Sequence, residues 1–384
     1  MKFHLMQPGA VGRRAEIEAG MAGQRHDLYQ RYLDEVRRYV QLADELGYAS
    51  YGHPEHHLQI EGFEVTNHPG MFSLFVGLHS QRLKAATLGY VLPTHNPVRV
   101  AEEIATLDHM LKGRLLVGFT RGYHARWVDS YAAVHGASAT TPVLAKARDD
   151  KDTMNREIFE ESVKIIKHAW ANETFSYEGK YWRFPPEGGS DGHPGYETYG
   201  RGMGPDGRVH EIGIAPRPYQ DPHPKIYGAF AHSMRTIDMW AREGGKPIVM
   251  ANDLDFCDAL WSRYRQTAEE SGRDVADDDV AAWGGLLIIS DDKDRANWLM
   301  EEHRWFWEQW FIPFGQQFPN LIMGTADEIS QQIEAAQERL GFNELWMIFG
   351  QGHLSVEQNE EELYKFANEV FPRFASKDRE GTFV

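Results

Sequence analysis

Along the chain, short apolar runs alternate with longer stretches in which apolar residues recur every three or four positions. Runs of the first kind are Phe3–Met6, Ala49–Gly52, Leu83–Leu92, Arg114–Phe119, Lys225–Phe230, Pro247–Met250, Ala281–Ile289 and Glu344–Phe349. Their length and composition predict strands buried on both faces, as in a parallel sheet. Between them lie helical patterns. Leu33, Val36, Val40 and Ala43 share one face, and Gly47 stands where a C-cap belongs. Asn96-Pro97 reads as an N-cap with proline at the first helical position, ahead of Val100, Ile104, Leu107 and Leu111. Phe159, Val163, Ile166 and Trp170 line one side of a helix over Thr153–Trp170, and Leu363, Phe366, Ala367, Val370 and Phe371 form a last stripe. Eight strand–helix units in 384 residues predict a closed (β/α)8 TIM barrel rather than an open doubly wound sheet.

Three segments break the rhythm: about 7–26, 184–224 and 305–321. They are read as long loop insertions at the C-terminal face of the strands, within one domain spanning 1–384. The third is rich in aromatics (Trp305, Phe306, Trp307, Trp310, Phe311, Phe314) and is expected to be a mobile lid. Core or dimer packing is the competing reading for its tryptophans.

A hydrophobic content of 42 % supports a large core, and a net charge of −17 without a basic run excludes nucleic acid as a main partner. Cys257 stands alone, so neither an intramolecular disulfide nor a cysteine zinc site is expected. The first ten residues are too polar for a signal peptide, and no stretch of 18 uncharged apolar residues occurs. A soluble cytoplasmic protein without membrane attachment is expected.

Candidate chemistry concentrates just past three strands, where a barrel of this kind opens its mouth. His53-Pro54-Glu55-His56-His57 follows the second strand. Its spacing does not make a metalloprotease motif, and Pro54 argues against a helix there, so a metallohydrolase is the weaker reading beside a general acid/base histidine or plain loop histidines. Thr120-Arg121-Gly122 follows the fourth strand, and the planar donor fork of an arginine suits a phosphate as well as a carboxylate. Gly200, Gly202 and Gly204 lack the strand and helix that a dinucleotide fingerprint needs and are read as loop.

Glu55-His56-His57, then Val91-Leu92-Pro93-Thr94 with Pro97-Val98-Arg99, then Lys112-Gly113-Arg114 with Arg121-Gly122, resemble in order and spacing the bacterial luciferase alpha subunit and its flavin monooxygenase relatives. Gly324-Thr325-Ala326-Asp327-Glu328 is similar to the start of that family's last but one helix. The resemblance implies reduced FMN as co-substrate, O2, and monooxygenation of a small organic substrate through a flavin hydroperoxide. It makes His56 the catalytic acid/base. It places Glu55, Leu88, Gly89, Thr120, Arg121, Gly122, Ser233 and Thr236 at the cofactor, with a cis peptide at Leu88-Gly89 and the flavin phosphate near Arg121, Ser233 and Thr236. Thr120 stands where the luciferases carry a reactive cysteine, and His232 where they carry an acidic residue, so their light-emitting chemistry is not carried over. Without a nicotinamide motif, a separate flavin reductase is expected, and the resemblance implies a homodimer or related heterodimer. A deazaflavin-dependent hydride-transfer enzyme on the same barrel, or a flavin-binding protein without turnover, are the alternatives.

Overall fold

The computed structural model describes residues 1–132, 136, 149–188, 192–231, 233–350 and 352–375. Eleven strands occur among them: β1 Lys2–Met6, β2 Ser50–His53, β3 Lys84–Val91, β4 Leu115–Thr120, β5 Tyr177–Glu178, β6 Arg183–Phe184, β7 Ile226–Gly228, β8 Lys246–Val249, β9 Ala282–Ile289, β10 Leu321–Gly324 and β11 Glu344–Ile348. Eight of these close a parallel barrel in the order β1-β2-β3-β4-β7-β8-β9-β11 and back to β1. Their ends fall within two residues of the apolar runs, because both faces of each strand are covered, by the barrel interior and by the helices outside. Gly47 caps the helix His26–Leu46 at φ 86°, and Asn96 Oδ1 accepts from Val98 N and Arg99 N at the start of Pro97–Met110.

A buried ionic cluster sits at the end where the strands begin. Glu344 accepts from Tyr227 Oη at 2.9 Å and Lys225 Nζ at 3.2 Å, and Asp279 joins Lys225 to Lys246 at 2.7 and 2.8 Å. The chemistry is left to the opposite rim.

Two of the three insertions differ from expectation. Segment 184–224 enters β7 at its N-terminal end, so it lies under the barrel and not at the mouth. Gln220 Nε2 donates to Asp108 and to Leu115 O at the start of β4, and Arg217 O accepts from His109. The short hairpin β5–β6 instead lies along the helix Asp149–Ala171, where Lys180 and Tyr181 bond Glu157 and Trp182 N donates to Glu161. The aromatic run of the third insertion continues the helix Lys293–Trp310, in which Trp305, Phe306, Trp307 and Trp310 are buried. That helix lies across the mouth as expected of a cover, but its rings are packed core, since i, i+1 and i+4,5 positions all find neighbours beneath. The chain then returns through Asn320, which donates to Gly284 O at 3.0 Å, into β10, a strand that pairs with the upper half of β9. The first insertion holds the short helix Arg14–Glu18 and an Arg13–Glu35 ion pair over the β1 end.

Candidate active site

The side chains at the mouth come from strand ends, from the loops that follow them and from the helices beyond. After β2 the three residues Glu55, His56 and His57 diverge. Glu55 is buried and accepts from Val91 N, His57 Nε2 and His95 Nε2, each at 2.8 Å. Burial pushes its carboxyl up, but the two histidines outweigh this and hold it at about 2. Both oxygens are thus engaged by protein, and Glu55 ties the β2 and β3 loops together. His57 packs on Trp127 and Tyr131, with ring centroids 5.0 and 4.9 Å apart.

His56 turns the other way. Its Nε2 lies 3.0 Å from Glu64 Oε1, while its Nδ1 is buried without a partner among the described residues. Glu64, from the same loop, takes two further donors on Oε2, Tyr123 Oη at 2.5 Å and Trp310 Nε1 at 2.7 Å. Burial pushes the Glu64 carboxyl up, but His56, Tyr123 and Trp310 together hold it below the usual range. His56 also borders an open cleft lined by Tyr29, Leu58, Ile60, Val65 and Asn67. Nearby, His124 lies among Tyr123, Trp310 and Phe314, and burial pushes it down to about 4. His53 is not part of this group. It is buried beside Tyr51 and Phe72, where burial alone pushes it to about 3.

The floor is set by β3 and β4. The Leu88–Gly89 peptide is cis, and a Cβ on Gly89 would overlap the backbone of Gly118 and Phe119. Thr120 ends β4 opposite Val91 and is partly exposed. Gly122 sits at φ 74°, where a side chain would also strike Val91 and Val128.

Cationic groups gather on one rim. Arg121 pairs with Asp152 at 3.2 Å. Arg156, on the helix Asp149–Ala171, has no hydrogen bond or ion pair among the described residues, and burial, then Arg121 and Arg235, push its guanidinium down. Ser233 caps the helix Met234–Glu243, accepting from Thr236 N at 3.3 Å, with Thr236 Oγ1 2.9 Å from its own hydroxyl. Arg235 in the first turn has, among the described residues, only a distant partner, Glu160, at 3.9 Å. Asp152 and Glu160 offset these three guanidiniums only in part, and the helix N-terminus adds its own positive end. His232 lies outside the described residues.

The structure therefore brings together His56, Leu88, Gly89, Thr120, Arg121, Gly122, Ser233 and Thr236 around one mouth. Sequence reading missed Glu64, Tyr123, Trp310, Arg156 and Arg235. Arg235 had a signal, its place beside Ser233. Glu64 and Trp310, 246 positions apart, had none. No group of three side chains able to hold a metal occurs among the described residues.

A closed parallel barrel with three arginines beside a helix start and a buried histidine–carboxylate pair at its mouth has the build of a barrel enzyme. The model of the luciferase-like monooxygenase family matches residues 17–318, and the chain belongs to that family. It is 24 % identical over 348 residues to 3,6-diketocamphane 1,6-monooxygenase of Pseudomonas putida, covering 83 % of this chain and 84 % of that protein. It is 24 % identical over 338 residues to an alkanal monooxygenase beta chain of Photorhabdus luminescens, covering 83 % and 85 %. The oxygenating constituent of 3,6-diketocamphane monooxygenase of Pseudomonas putida, a type II Baeyer-Villiger monooxygenase solved with FMN, superposes with a TM-score of 0.72 at 18 % identity over 97 % of this chain and 98 % of that one.

Proposed function

We propose that the chain is the oxygenating component of a two-component flavin-dependent monooxygenase, taking reduced FMN from a separate reductase and using O2 to oxygenate a small organic substrate. The observation that carries this is the rim of Arg121, Arg156 and Arg235 at the Ser233 helix start, which suits one phosphate dianion. Ser233, Thr236 and the three arginines would hold the phosphate. Gly89 lets β3 close on the β4 backbone to form the floor for a flat ring, and Glu55 fixes the loops around it. When bound, reduced FMN supplies the electrons that activate O2. His56 moves the proton, and the packed rings of Phe63, Trp310 and Phe314 keep water from the reacting centre. The same rings favour an uncharged, largely apolar substrate.

Equilibrium dialysis of reduced FMN, NADPH and a reduced deazaflavin tests the reading. Saturation by FMN alone supports it, and saturation by the deazaflavin without FMN affinity moves the protein to the hydride-transfer alternative.

A homodimer and a cytoplasmic location belong to the same proposal. The helix Pro69–Leu78 is apolar all round and leaves Met71 66 % and Leu78 71 % exposed, with Leu74 and Phe75 between them at i, i+3, i+4, i+7 spacing. A second copy would cover this stripe, and Met71→Glu with Leu78→Glu should shift sedimentation to that of a monomer. No helix among the described residues is long and apolar enough to cross a membrane.

A further inference from the structure

Glu64 presents its two oxygens to three donors. Oε1 faces His56 Nε2 at 3.0 Å, and Oε2 faces Tyr123 Oη at 2.5 Å and Trp310 Nε1 at 2.7 Å. The carboxylate is 2 % exposed, so no solvent competes for it. We propose that Glu64 is the positioning residue for His56, holding the imidazole in its Nε2–H form and leaving the lone pair of Nδ1 as the atom that exchanges protons in the reaction.

The chemistry of the donors leads there. An ionised carboxylate only accepts, so the ring nitrogen facing it must carry hydrogen. A neutral imidazole then has its lone pair on Nδ1, and that nitrogen is buried with no partner among the described residues. A buried acceptor without a partner is costly unless a ligand's proton completes it. On taking that proton at Nδ1 the ring becomes imidazolium with Nε2–H still on Glu64, and it becomes neutral again when Nδ1 gives the proton back. This proposal rests on the reading of His56 as the acid/base.

The partners make a sharp test possible. In Glu64→Gln, Trp310 can only donate, so it claims the amide oxygen and turns the amide NH2 toward His56 Nε2. That nitrogen must then accept, and the hydrogen moves to Nδ1, the wrong tautomer. Removing the indole N–H frees the amide to turn over, because the Tyr123 hydroxyl can accept as well as donate. Glu64→Gln/Trp310→Phe should therefore recover part of what Glu64→Gln loses.

Ring-15N histidine spectra of the flavin-free protein at neutral pH read this directly, with the His56 signals assigned by their loss in His56→Gln. The expected result is Nε2–H in the parent protein, Nδ1–H in Glu64→Gln, and partial return in the double variant. In turnover Glu64→Gln should keep its reduced-FMN affinity and lose product about 10²–10⁴-fold, with H2O2 rising in step. An Nδ1–H parent overturns the proposal even if the variants fold poorly, and so does an unchanged tautomer in a folded Glu64→Gln. If the tautomers behave as expected while His56→Ala turns over normally, it is the acid/base role of His56 that fails, and with it the proton exchange at Nδ1.

Discussion

Trp310 donates its indole Nε1–H to Glu64 Oε2 at 2.7 Å, and its ring stacks on Phe63 with centroids 4.7 Å apart at 6°. One residue at the end of the covering helix thus joins that helix to the loop carrying His56, and the cover and the acid/base are built as one unit.

Trp310→Phe keeps the stack and removes the donor to a buried carboxylate. It should destabilise the protein by about 1–3 kcal/mol, the usual cost of leaving such a group short of a partner. Denaturant unfolding checks this, and an unchanged midpoint would mean the bond adds nothing net.

Arg156 is crowded by Arg121 and Arg235 and has no ion pair of its own among the described residues. Arg156→Ala should leave the melting temperature of the flavin-free protein unchanged or slightly raised. Reduced-FMN affinity should fall by about 10–100-fold, the loss expected of one charge-assisted hydrogen bond. Lower stability with unchanged affinity would make Arg156 a structural residue.

His56 and His57 are neighbours with different surroundings, one on Glu64 and the other on Glu55. His56→Ala should retain flavin binding yet release more H2O2 per flavin oxidised, with product formation down about 10²–10⁴-fold. His57→Ala should disturb the β2–β3 tether and lower stability while leaving coupling near normal. The opposite assignment would pass the acid/base role to His57.

Two buried carboxyls give stability opposite pH dependences. Burial pushes the Glu344 carboxyl up, but His4, Lys246, Lys225 and Tyr227 outweigh it and hold it at about 2. Its stabilisation is present above the unfolded value of about 4.5 and is lost as pH falls through about 2. Burial raises Glu362 to about 8, so stability present below about 4.5 is lost as pH rises through about 8. Glu362→Gln should therefore match the parent near pH 4 and exceed it increasingly toward pH 9 in denaturant melts. Glu344→Gln should be weaker than the parent at pH 7, with the gap closing in acid. Parallel pH curves would refute both.

Much of this was legible in the sequence for identifiable reasons. The barrel strands are buried on both faces and so write themselves as unbroken apolar runs, and Gly47 and Asn96-Pro97 carry local cap chemistry. The helix Pro69–Leu78 was missed because it is apolar all round and shows no 3.6-residue stripe. β10 was missed because it is four residues long and lies beside the start of a helix. Segment 184–224 was misplaced because Gly and Pro mark a loop but not the end of the barrel it occupies. At the site, residues adjoining strand ends were found, whereas Glu64, Tyr123 and Trp310 meet only through long-range packing. Trp305–Trp310 were read as loop, although the helical pattern from Lys293 runs through them.

The account turns on reduced FMN binding at this mouth and being protected there when O2 arrives. Stopped-flow mixing of the anaerobic protein–FMNH2 complex with O2, followed by absorbance and by H2O2 yield, tests this most directly. The account predicts stoichiometric binding and a reoxidation course with an added slow phase absent from free FMNH2, lost in Arg156→Ala at limiting protein. A course superimposable on that of free FMNH2 at saturating protein would contradict it.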